Sequence, residues 1–371
     1  MQSLPVMVYH VPYRLNHEGA SASAIRPVKM RQAFADLGYE VIEISGVSRE
    51  RKAAIAKLKQ RIDQGLEVQF IYSESSTQPN AFTDPYFSLY GYFDTAFLAW
   101  CRRRGIPVGL FYRDIYWLYP RYWRGIARWR RMLITHFYKA DLRGYRRGVD
   151  RLFVPTSNMI ELVPDVPRER MSALPPAGDP ESGSEVVTDL ALFYVGGLGP
   201  FYQLHACVAG VAQVPQARLT VCVAAQQWQN LSAQYPESAA SNVNIVHETG
   251  ESMRALMRAS AIGVLFVEPV DQWAIAAPMK MFEYLALGKP IVAVKGTASG
   301  DFVESNGIGW AIEYSPESLA SLLEHLAQHP EEIATRARQA QAVRGQHSWR
   351  ARAEQVVREL AEVSEVNRER D

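Results

Sequence analysis

The sequence predicts an α/β protein with two domains, each built on an open parallel sheet. Runs of β-branched and aromatic residues alternate with helical patterns along the 371-residue chain. The alternation is interrupted once, by a stretch rich in Pro, Gly and Ser near residues 178–188, and then restarts. We therefore expect Rossmann-like domains over residues 1–178 and 188–345. The remaining segment, residues 346–371, is a predicted helix that can cross back to the first domain.

The predicted strands follow each other in chain order. Those of the first domain are "VMVYHV", "YEVIEIS", "EVQFIYSE", "IPVGLFYRD" and "RLFVPT". Those of the second domain are "LALFYVGG", "ARLTVCVA", "VNIVHET", "AIGVLFVEP", "PIVAVK" and "GIGWAIEY". Helical stretches separate them, as in right-handed βαβ units. Ligands bind beyond the carboxyl ends of parallel strands, so candidate site residues are sought there.

Composition excludes several classes of protein. No apolar run approaches the roughly 18 residues that a membrane-spanning helix needs. The first apolar run has no basic segment before it, so we expect a first strand there and no signal peptide. The three cysteines are odd in number and lack CxxC spacing, which argues against a disulfide framework or a zinc site. A cytoplasmic protein fits best.

Charge is distributed unevenly along the chain. Residues 1–180 contain 26 Lys/Arg and 17 Asp/Glu, a net charge of +9, whereas residues 181–371 contain 14 and 22, a net charge of −8. The two sums give the overall net charge of +1. The basic half is expected to face an anionic partner, either nucleic acid or anionic lipid.

The segment "APMKMFEYLALGKPIVA", residues 277–293, predicts a short helix followed by a buried strand. Pro278 fits the first helical position, and Gly288 fits a left-handed cap. Lys280 and Glu283 then share one face near the positive end of the helix, where a phosphate can bind. The alternative is a solvated ion pair on a helix that only packs in the core.

Glycines follow the first predicted strand of the second domain in "VGGLGP". Gly196 and Gly197 let backbone amides approach a phosphate closely, although such glycines often serve only the turn. With Lys280 they can hold one diphosphate. Glu283, one turn further along, suits the two hydroxyls of a ribose.

The first domain offers polar residues at the ends of its own strands. Gly19 lies in a loop of small residues after the first strand, and "YRDIYW" places Arg113 and Asp114 at the end of the fourth. Arg113 can neutralise a leaving phosphate, while Asp114 can bind an acceptor hydroxyl or remove its proton. Glu74 is a second carboxylate at the same rim. The alternative is a structural Arg–Asp pair.

A basic and aromatic segment follows. From Arg121 to Arg151 there are ten Lys/Arg, two Asp and six aromatic residues. The spacing predicts one helical stripe of apolar residues and another of arginines, a pattern typical of a helix that lies in a lipid headgroup region. The apolar stripe comprises Tyr122, Ile126, Trp129, Leu133 and Phe137, and the basic one Arg124, Arg128 and Arg131. Packing of the stripe on the sheet is the alternative.

The chain resembles the GT-B glycosyltransferases of the family-4, or group 1, type. The strongest match is "KMFEYLALGKPIVA", which resembles the family's "lEAmA.G.PVia". In the first domain, "EGASASAIRPVKMRQAFADLGYEV" resembles the family's glycine loop and first helix, and "IPVGLFYRD" resembles its strand ending in "HD". Near the domain boundary, "VPTSNMIEL" resembles the family's "S" strand and helix, and "LPPAGD" resembles its "PnGvD". It implies two Rossmann-like domains facing a cleft and transfer of a sugar from a nucleotide donor. Glu283 falls on the ribose-binding glutamate, and Gly196 and Gly197 fall on the phosphate loop.

The sequence departs from this family at two positions. Ile275 occupies the place of the first glutamate of the family's E-x7-E pair, which leaves the donor sugar and the stereochemistry open. Arg113 stands where a histidine is usual. The resemblance implies an enzyme that needs no metal or other cofactor, in agreement with the lack of an Asp-x-Asp motif.

Together these observations predict a hexosyltransferase-like enzyme that is peripheral on the cytoplasmic face of the membrane. Its second domain is expected to bind a nucleotide sugar through Gly196, Gly197, Met279, Lys280 and Glu283, with Gly19 approaching from the first domain. The first domain would bind a glycan or a lipid-linked acceptor, with Arg124, Arg128, Trp129 and Arg131 on anionic lipid. The alternatives are a GT-B sugar-nucleotide epimerase, a GT-B-like binding protein without catalysis and, from the basic patch alone, a nucleic-acid binder.

Overall fold

A computed structural model describes residues 4–19, 21–84, 92–183, 185–199 and 202–368. The chain forms two compact units, the first of residues 1–175 with 349–371 and the second of residues 176–348. The division at residues 175 and 176 lies just before the Pro- and Gly-rich stretch expected to separate the domains. Each unit is an α/β layer structure on a parallel sheet, which confirms the predicted fold class.

The first unit contains a sheet of six parallel strands in the order β2-β1-β3-β4-β5-β6. Its strands are β1 (Val6–His10), β2 (Glu40–Ile44), β3 (Phe70–Glu74), β4 (Val108–Phe111), β5 (Arg151–Val154) and β6 (Met171–Ala173). Its helices are α1 (Ala22–Asp36), α2 (Ser48–Asp63), α3 (Tyr92–Arg103), α4 (Arg128–Gly148), α5 (Ser157–Ile160) and α13 (Trp349–Arg368).

Strand β6 is absent from the sequence prediction. It has three residues and pairs with β5 through Leu152–Met171, Phe153–Ser172 and Val154–Ala173. Three residues are too few to show a periodicity of two, and the strand runs directly into the Pro-rich stretch.

The C-terminal helix α13 belongs to the first unit. Its Gln355 donates a hydrogen bond to the carbonyl of Ala173 at 2.9 Å, and its Leu360 packs on β4 at Gly109. A Cβ atom on Gly109 would lie 3.1 Å from Leu360 Cδ1 and 2.9 Å from Phe153 Cε2. The helix approaches the sheet this closely because residue 109 has no side chain.

The second unit repeats the architecture with the strand order β12-β11-β10-β7-β8-β9, again all parallel. Its strands are β7 (Ala191–Val195), β8 (Arg218–Cys222), β9 (Val243–Val246), β10 (Ile262–Leu265), β11 (Ile291–Val294) and β12 (Gly309–Ile312). Its helices are α6 (His205–Ala212), α7 (Ala225–Leu231), α8 (Gly250–Ala259), α9 (Met279–Ala286), α10 (Ala298–Asn306), α11 (Pro316–Gln328) and α12 (Pro330–Val343).

Two expectations about composition can be compared with the structure. All three cysteines, Cys101, Cys207 and Cys222, are buried and free of disulfide bonds. Within the described part of the chain, no helix combines the length and apolarity required to cross a bilayer.

A buried charge network holds the helices of the first unit to the carboxyl end of β1. Asp94 on α3 accepts hydrogen bonds from Arg51 Nε at 3.1 Å and Arg51 Nη2 at 2.9 Å, and it contacts His10 Nε2 at 2.9 Å. His10 also contacts the hydroxyl of Ser73 on β3 at 2.8 Å. All four side chains are almost inaccessible to solvent. Because Arg51 is buried, its charge depends on nearby carboxylates, of which Asp94 is closer than Asp84.

We predict that Asp94→Asn lowers the free energy of unfolding of the first unit by about 3–5 kcal/mol, because it leaves the buried guanidinium of Arg51 with only the carboxylate of Asp84, 3.6 Å from its Nη1 atom. Urea denaturation followed by circular dichroism measures the change. Glu67→Gln is the matched control, since Glu67 is an exposed carboxylate on the same unit. Equal stabilities of the two variants would show that the network contributes little.

Candidate functional site

The second unit carries a glycine turn immediately after its central strand β7. Gly196 has a φ of +138°, in the region that favours glycine, and its amide donates to the carbonyl of Cys222 at 3.1 Å. A Cβ atom at this position would lie 2.6 Å from Lys280 Nζ. The turn is fixed further along by Gln227, whose Oε1 accepts the amide hydrogen of Leu198 at 2.9 Å. Gly196 is therefore required both for its conformation and for the approach of Lys280.

Helix α9 begins one residue later than the sequence predicts. Pro278 is the N-cap residue in an extended conformation, and the helix runs over Met279–Ala286, about two turns. Gly288 follows the helix with a φ of +68°, as expected for a left-handed cap. The first amides of α9 have no acceptor within the helix, so they remain suited to an anion.

Lys280 lies against aromatic rings. Its Nζ atom is 4.1 Å from the ring centre of Tyr194 and 4.8 Å from that of Tyr202. Burial of the ammonium group lowers the pKa of Lys280 to about 7, while the charge of Glu283 opposes this shift. No carboxylate forms an ion pair with Lys280 among the described residues. A cation held this way is stabilised by the ring faces and can still bind an anion.

Glu283 lies one turn after Lys280 and is partly buried. Burial raises the pKa of its carboxyl group, and the charges of Arg254 and Lys280 oppose the rise. Arg254, on α8, forms an ion pair with Glu181. The structure thus brings Gly196, Lys280 and Glu283 together at the carboxyl end of the second sheet, as their positions in the sequence predict.

Two neighbours of these residues differ in what they can do. The side chain of Met279 is buried, so its contribution to a ligand site is limited to the backbone amide at the helix start. Ile275, where the resembling family has a glutamate, is also buried. Gly197 follows Gly196, and its carbonyl accepts a hydrogen bond from the hydroxyl of Tyr194 at 2.6 Å.

In the first unit, Glu74 and Arg113 meet at the carboxyl ends of β3 and β4. Glu74 Oε2 lies 3.5 Å from Arg113 Nη2, and its Oε1 lies 3.4 Å from Arg26 Nε and accepts from the hydroxyl of Tyr72 at 3.1 Å. Glu74 is 0% exposed, so the expectation of a carboxylate open to the rim is wrong. Its role in this structure is to hold the two arginines.

Arg113 is positioned by several contacts and remains partly exposed. Its Nη2 donates to the hydroxyl of Tyr13 at 2.9 Å, and its Nε donates to the carbonyl of Ser75 at 3.3 Å. The guanidinium of Arg26 stacks on the ring of Phe111 at 3.5 Å. Arg26 has no strand-end position in the sequence, so reasoning from strand ends did not find it.

Asp114 is partly buried beside Arg113. Burial raises the pKa of its carboxyl group to about 6, against the opposing effects of the Tyr116 amide, the Arg113 charge and the Thr77 hydroxyl. The amide of Tyr116 lies 3.4 Å from Asp114 Oδ1. A carboxylate with a pKa near 6 has the proton affinity that a general base requires near neutral pH.

Gly19 lies in the loop between β1 and α1, where a Cβ atom would meet Ala24 Cβ at 2.5 Å. The residue keeps the loop close to the start of α1, and its direct contact with a ligand stays a prediction.

The basic segment differs from the predicted continuous helix. A short 3-10 helix covers Pro120–Trp123, Gly125 has a φ of +74°, and α4 begins only at Arg128. The predicted apolar stripe is therefore divided. Its ends turn inwards, since the hydroxyls of Tyr122 and Tyr138 lie 3.0 Å apart and Phe137 packs edge-on against Phe82.

The middle of the stripe is exposed. Trp129 and Met132 are 62% and 71% exposed, and Ile126 and Leu133 lie with them on the surface. The arginines expected beside them, Arg124, Arg128 and Arg131, are also exposed. The first turns of α4 thus present an apolar patch among positive charges, which we call the α4 patch: Arg124, Ile126, Arg128, Trp129, Arg131, Met132 and Leu133.

Sequence reasoning missed the aromatic residues around Lys280. Tyr194, Tyr202 and Trp273 come from three separate parts of the chain, and Tyr202 and Trp273 pack edge-on with ring centres 5.1 Å apart. In the sequence each of them is a single aromatic residue, and single aromatic residues also occur throughout the core, so the pattern did not mark them as site residues. No cluster of three or more potential metal ligands occurs in the described ranges, and independence from metal stays a prediction.

Comparison with known proteins gives a family model and a fold. Residues 205–358 match the family model described as "Glycosyl transferase-like". No curated protein matches the chain significantly in sequence.

Several solved structures share the fold. HepE from Anabaena, solved with UDP, has 13% identity and a TM-score of 0.62, over 96% of this chain and 100% of that one. Sucrose-phosphate synthase from Thermosynechococcus elongatus has 14% identity and a TM-score of 0.60, over 97% and 99%. WaaG, a glycosyltransferase involved in lipopolysaccharide biosynthesis, has 15% identity and a TM-score of 0.59, over 95% and 98%. The protein therefore has the fold of the GT-B glycosyltransferases, and its residues 205–358 match the glycosyl transferase-like family.

Proposed function

We propose that this protein is a glycosyltransferase that takes a sugar from a uridine diphosphate sugar and transfers it to a glycan or lipid-linked acceptor at the cytoplasmic face of a membrane. The observation that carries the proposal is the position of Lys280. Its ammonium group lies beside Gly196 and above the tyrosine rings, with Glu283 one turn further along the helix.

The donor half of the proposal follows from the chemistry of these groups. A diphosphate needs positive charge and amide hydrogens that can donate to it, which Lys280 and the start of α9 supply. A ribose offers two neighbouring hydroxyls, for which the carboxylate of Glu283 is a suitable acceptor. Uridine is chosen because HepE, which shares the fold, was solved with UDP and with UDP-glucose.

The acceptor half rests on the first unit. Asp114 is the residue proposed to take the proton of the acceptor hydroxyl, and Arg113 is proposed to stabilise the negative charge of the leaving diphosphate. Since basic side chains and helix ends would neutralise the diphosphate, we propose that the reaction needs no metal ion.

The membrane half rests on the α4 patch. Exposed Trp, Met and Leu side chains enter the headgroup region, and the surrounding arginines are attracted to anionic lipids. The occupant proposed for the patch is therefore an anionic lipid surface, on the evidence of charge complementarity and of a basic half with a net charge of +9.

The affinity for UDP should fall as the pH rises from 7 to 9. The diphosphate binds the ammonium form of Lys280. Because the pKa of Lys280 is about 7, the side chain of the free protein is mostly neutral at higher pH and must take up a proton when UDP binds. The loss should approach about tenfold per pH unit. UDP itself is largely ionised in this range, because a terminal phosphate has a pKa of about 6.

Isothermal titration calorimetry in buffers of different ionisation enthalpy measures both the affinity and the proton uptake. Lys280→Met should bind UDP more weakly at pH 7 and show a flat profile. Lys295→Met is the control, since Lys295 is an exposed lysine of the same unit. Parallel profiles for wild type and Lys280→Met would refute the assignment.

Asp114→Asn should reduce turnover by about 10² to 10⁴ if Asp114 is the general base, and leave UDP affinity unchanged. Release of UDP from UDP-sugars, with and without a membrane lipid extract as acceptor, measures turnover. In the wild type, the rate should rise with pH through about 6, the pKa of Asp114. An epimerase would convert the sugar nucleotide without releasing UDP, and a loss of only a few-fold would exclude the base role.

Binding to anionic lipid should be lost when Arg124, Arg128 and Arg131 are all changed to Glu, because each basic residue near such a surface contributes about 1 kcal/mol. Sedimentation with vesicles of phosphatidylglycerol and phosphatidylcholine measures it. The triple change of Arg49, Lys57 and Arg103 to Glu is the matched control, with the same change in charge on exposed residues of other helices. Failure of the wild type to sediment at low salt would leave the α4 patch as a protein interface.

A further inference from the structure

Tyr194 contacts two separate parts of the proposed donor site. It lies on β7, and its side chain is 0% exposed. The centre of its ring is 4.1 Å from the Nζ atom of Lys280, and its hydroxyl donates a hydrogen bond to the carbonyl of Gly197 at 2.6 Å. One buried side chain thus connects helix α9 to the glycine turn that follows β7.

Both contacts lie next to Gly196. A Cβ atom built on Gly196 would be 2.6 Å from Lys280 Nζ and 3.6 Å from the hydroxyl oxygen of Tyr194. The ammonium group, the phenol hydroxyl and the turn therefore surround the same small volume. A displacement of Tyr194 would alter the surroundings of the lysine and of the turn together.

The glycine turn has a second support in Gln227, on α7. The Oε1 atom of Gln227 accepts from the amide of Leu198 at 2.9 Å, and its Nε2 atom donates to the carbonyl of the same residue. These bonds fix Leu198, whereas the hydroxyl of Tyr194 fixes the carbonyl of Gly197. A peptide carbonyl that pointed at a bound diphosphate would repel its negative charge. The bond to Tyr194 keeps this carbonyl paired with a donor.

The ring of Tyr194 also affects the charge of Lys280. The charged or titratable groups around this ammonium are Tyr194, Tyr202 at 4.8 Å, Glu283 one turn along α9, and Arg254, whose charge acts on Glu283. Burial lowers the pKa of Lys280 to about 7 and raises the pKa values of both phenols, which are therefore neutral. The face of a neutral ring attracts an ammonium group. The nearer ring, that of Tyr194, thus favours the protonated lysine.

We propose that Tyr194 is a positioning residue of the donor site, whose ring holds the ammonium group of Lys280 and whose hydroxyl holds the carbonyl of Gly197 in place for a bound diphosphate. The inference rests on the proposed donor site at Lys280 and Glu283. Because these groups are already arranged in the free protein, less conformational entropy is lost when a sugar nucleotide binds.

Tyr194→Phe tests the hydroxyl, because it keeps the ring and removes the bond to Gly197. The affinity for UDP, measured by isothermal titration calorimetry on the full-length protein, should fall about 2- to 10-fold, the size of one neutral hydrogen bond. The factor should be the same at every pH, since Lys280 keeps its ring. Tyr314→Phe is the matched control and should bind UDP like the wild type. The hydroxyl of Tyr314 donates to a different backbone carbonyl of the second unit, that of Gln203 at 3.2 Å.

Pentafluorophenylalanine at position 194 tests the ring, with Tyr194→Phe as the reference. Fluorination changes the size of the ring little and removes the negative charge of its face, so it weakens the attraction for the ammonium group. The pKa of Lys280 should then be about one pH unit lower than in Tyr194→Phe.

Nuclear magnetic resonance of ¹³C-labelled lysine measures this pKa without UDP, and Lys280→Met identifies the signal. The same replacement at Phe193 is the matched control and should leave the pKa unchanged. Phe193 is equally buried on β7, but its side chain lies on the opposite face of the sheet. Circular dichroism verifies that each variant is folded, and the Tyr194→Phe comparison stands even where a fluorinated variant does not fold.

The outcomes separate this inference from the proposed function. Absence of UDP binding by the wild type would refute the proposed donor site and the inference with it. When the wild type binds UDP, an unchanged affinity in Tyr194→Phe, or an equal loss in Tyr314→Phe, would refute the role of the hydroxyl. An unchanged pKa of Lys280 on fluorination of residue 194 would refute the role of the ring.

Discussion

The proposed donor site of the second unit depends on a lysine whose ammonium group faces tyrosine rings instead of a carboxylate. Removing an ammonium group from water is unfavourable, and a desolvated cation–π contact returns only about 2 kcal/mol. The charge of Lys280 is therefore incompletely compensated, which is why its pKa falls to about 7. An anion that binds beside it supplies the missing compensation, so the unfavourable environment of the free protein favours the bound state.

Other features of the site follow from this arrangement. The ammonium group of Lys280 lies where a Cβ atom on residue 196 would be only 2.6 Å away, and the same glycine gives the turn after β7 its unusual backbone conformation. In the first unit the charges are arranged in the opposite way. Glu74 lies between Arg26 and Arg113, and Asp94 lies beside Arg51, so the carboxylates there already face positive charge before any ligand binds.

The sequence was sufficient for features that depend on local chemistry. Eleven of the twelve strands follow from runs of β-branched and aromatic residues, because buried parallel strands are apolar throughout. The proximity of Gly196 and Lys280 follows from topology, since both lie at the carboxyl ends of neighbouring strands. β6 was missed because three residues carry no pattern.

Features that depend on packing were not predictable in this way. The apolar spacing from Tyr122 to Phe137 suits one helix, but Gly125 turns the chain and α4 begins at Arg128. Glu74 is buried beside Arg26, which comes from helix α1. The indole N–H of Trp273 has no acceptor among the described residues that surround it. Neither can be read from the spacing of residues along the chain.

The position of α13 has a consequence for the order in which the protein folds. Residues 176–348 form a continuous segment, so the second unit is complete in the chain before the first is. The first unit lacks the helix that covers Gly109 until residues 349–360 have been synthesised. During translation, the face of β4 at Gly109 is not covered by α13 until the C-terminal segment has been synthesised, and the whole second unit is synthesised before that segment. The N-terminal unit is thus the last to close.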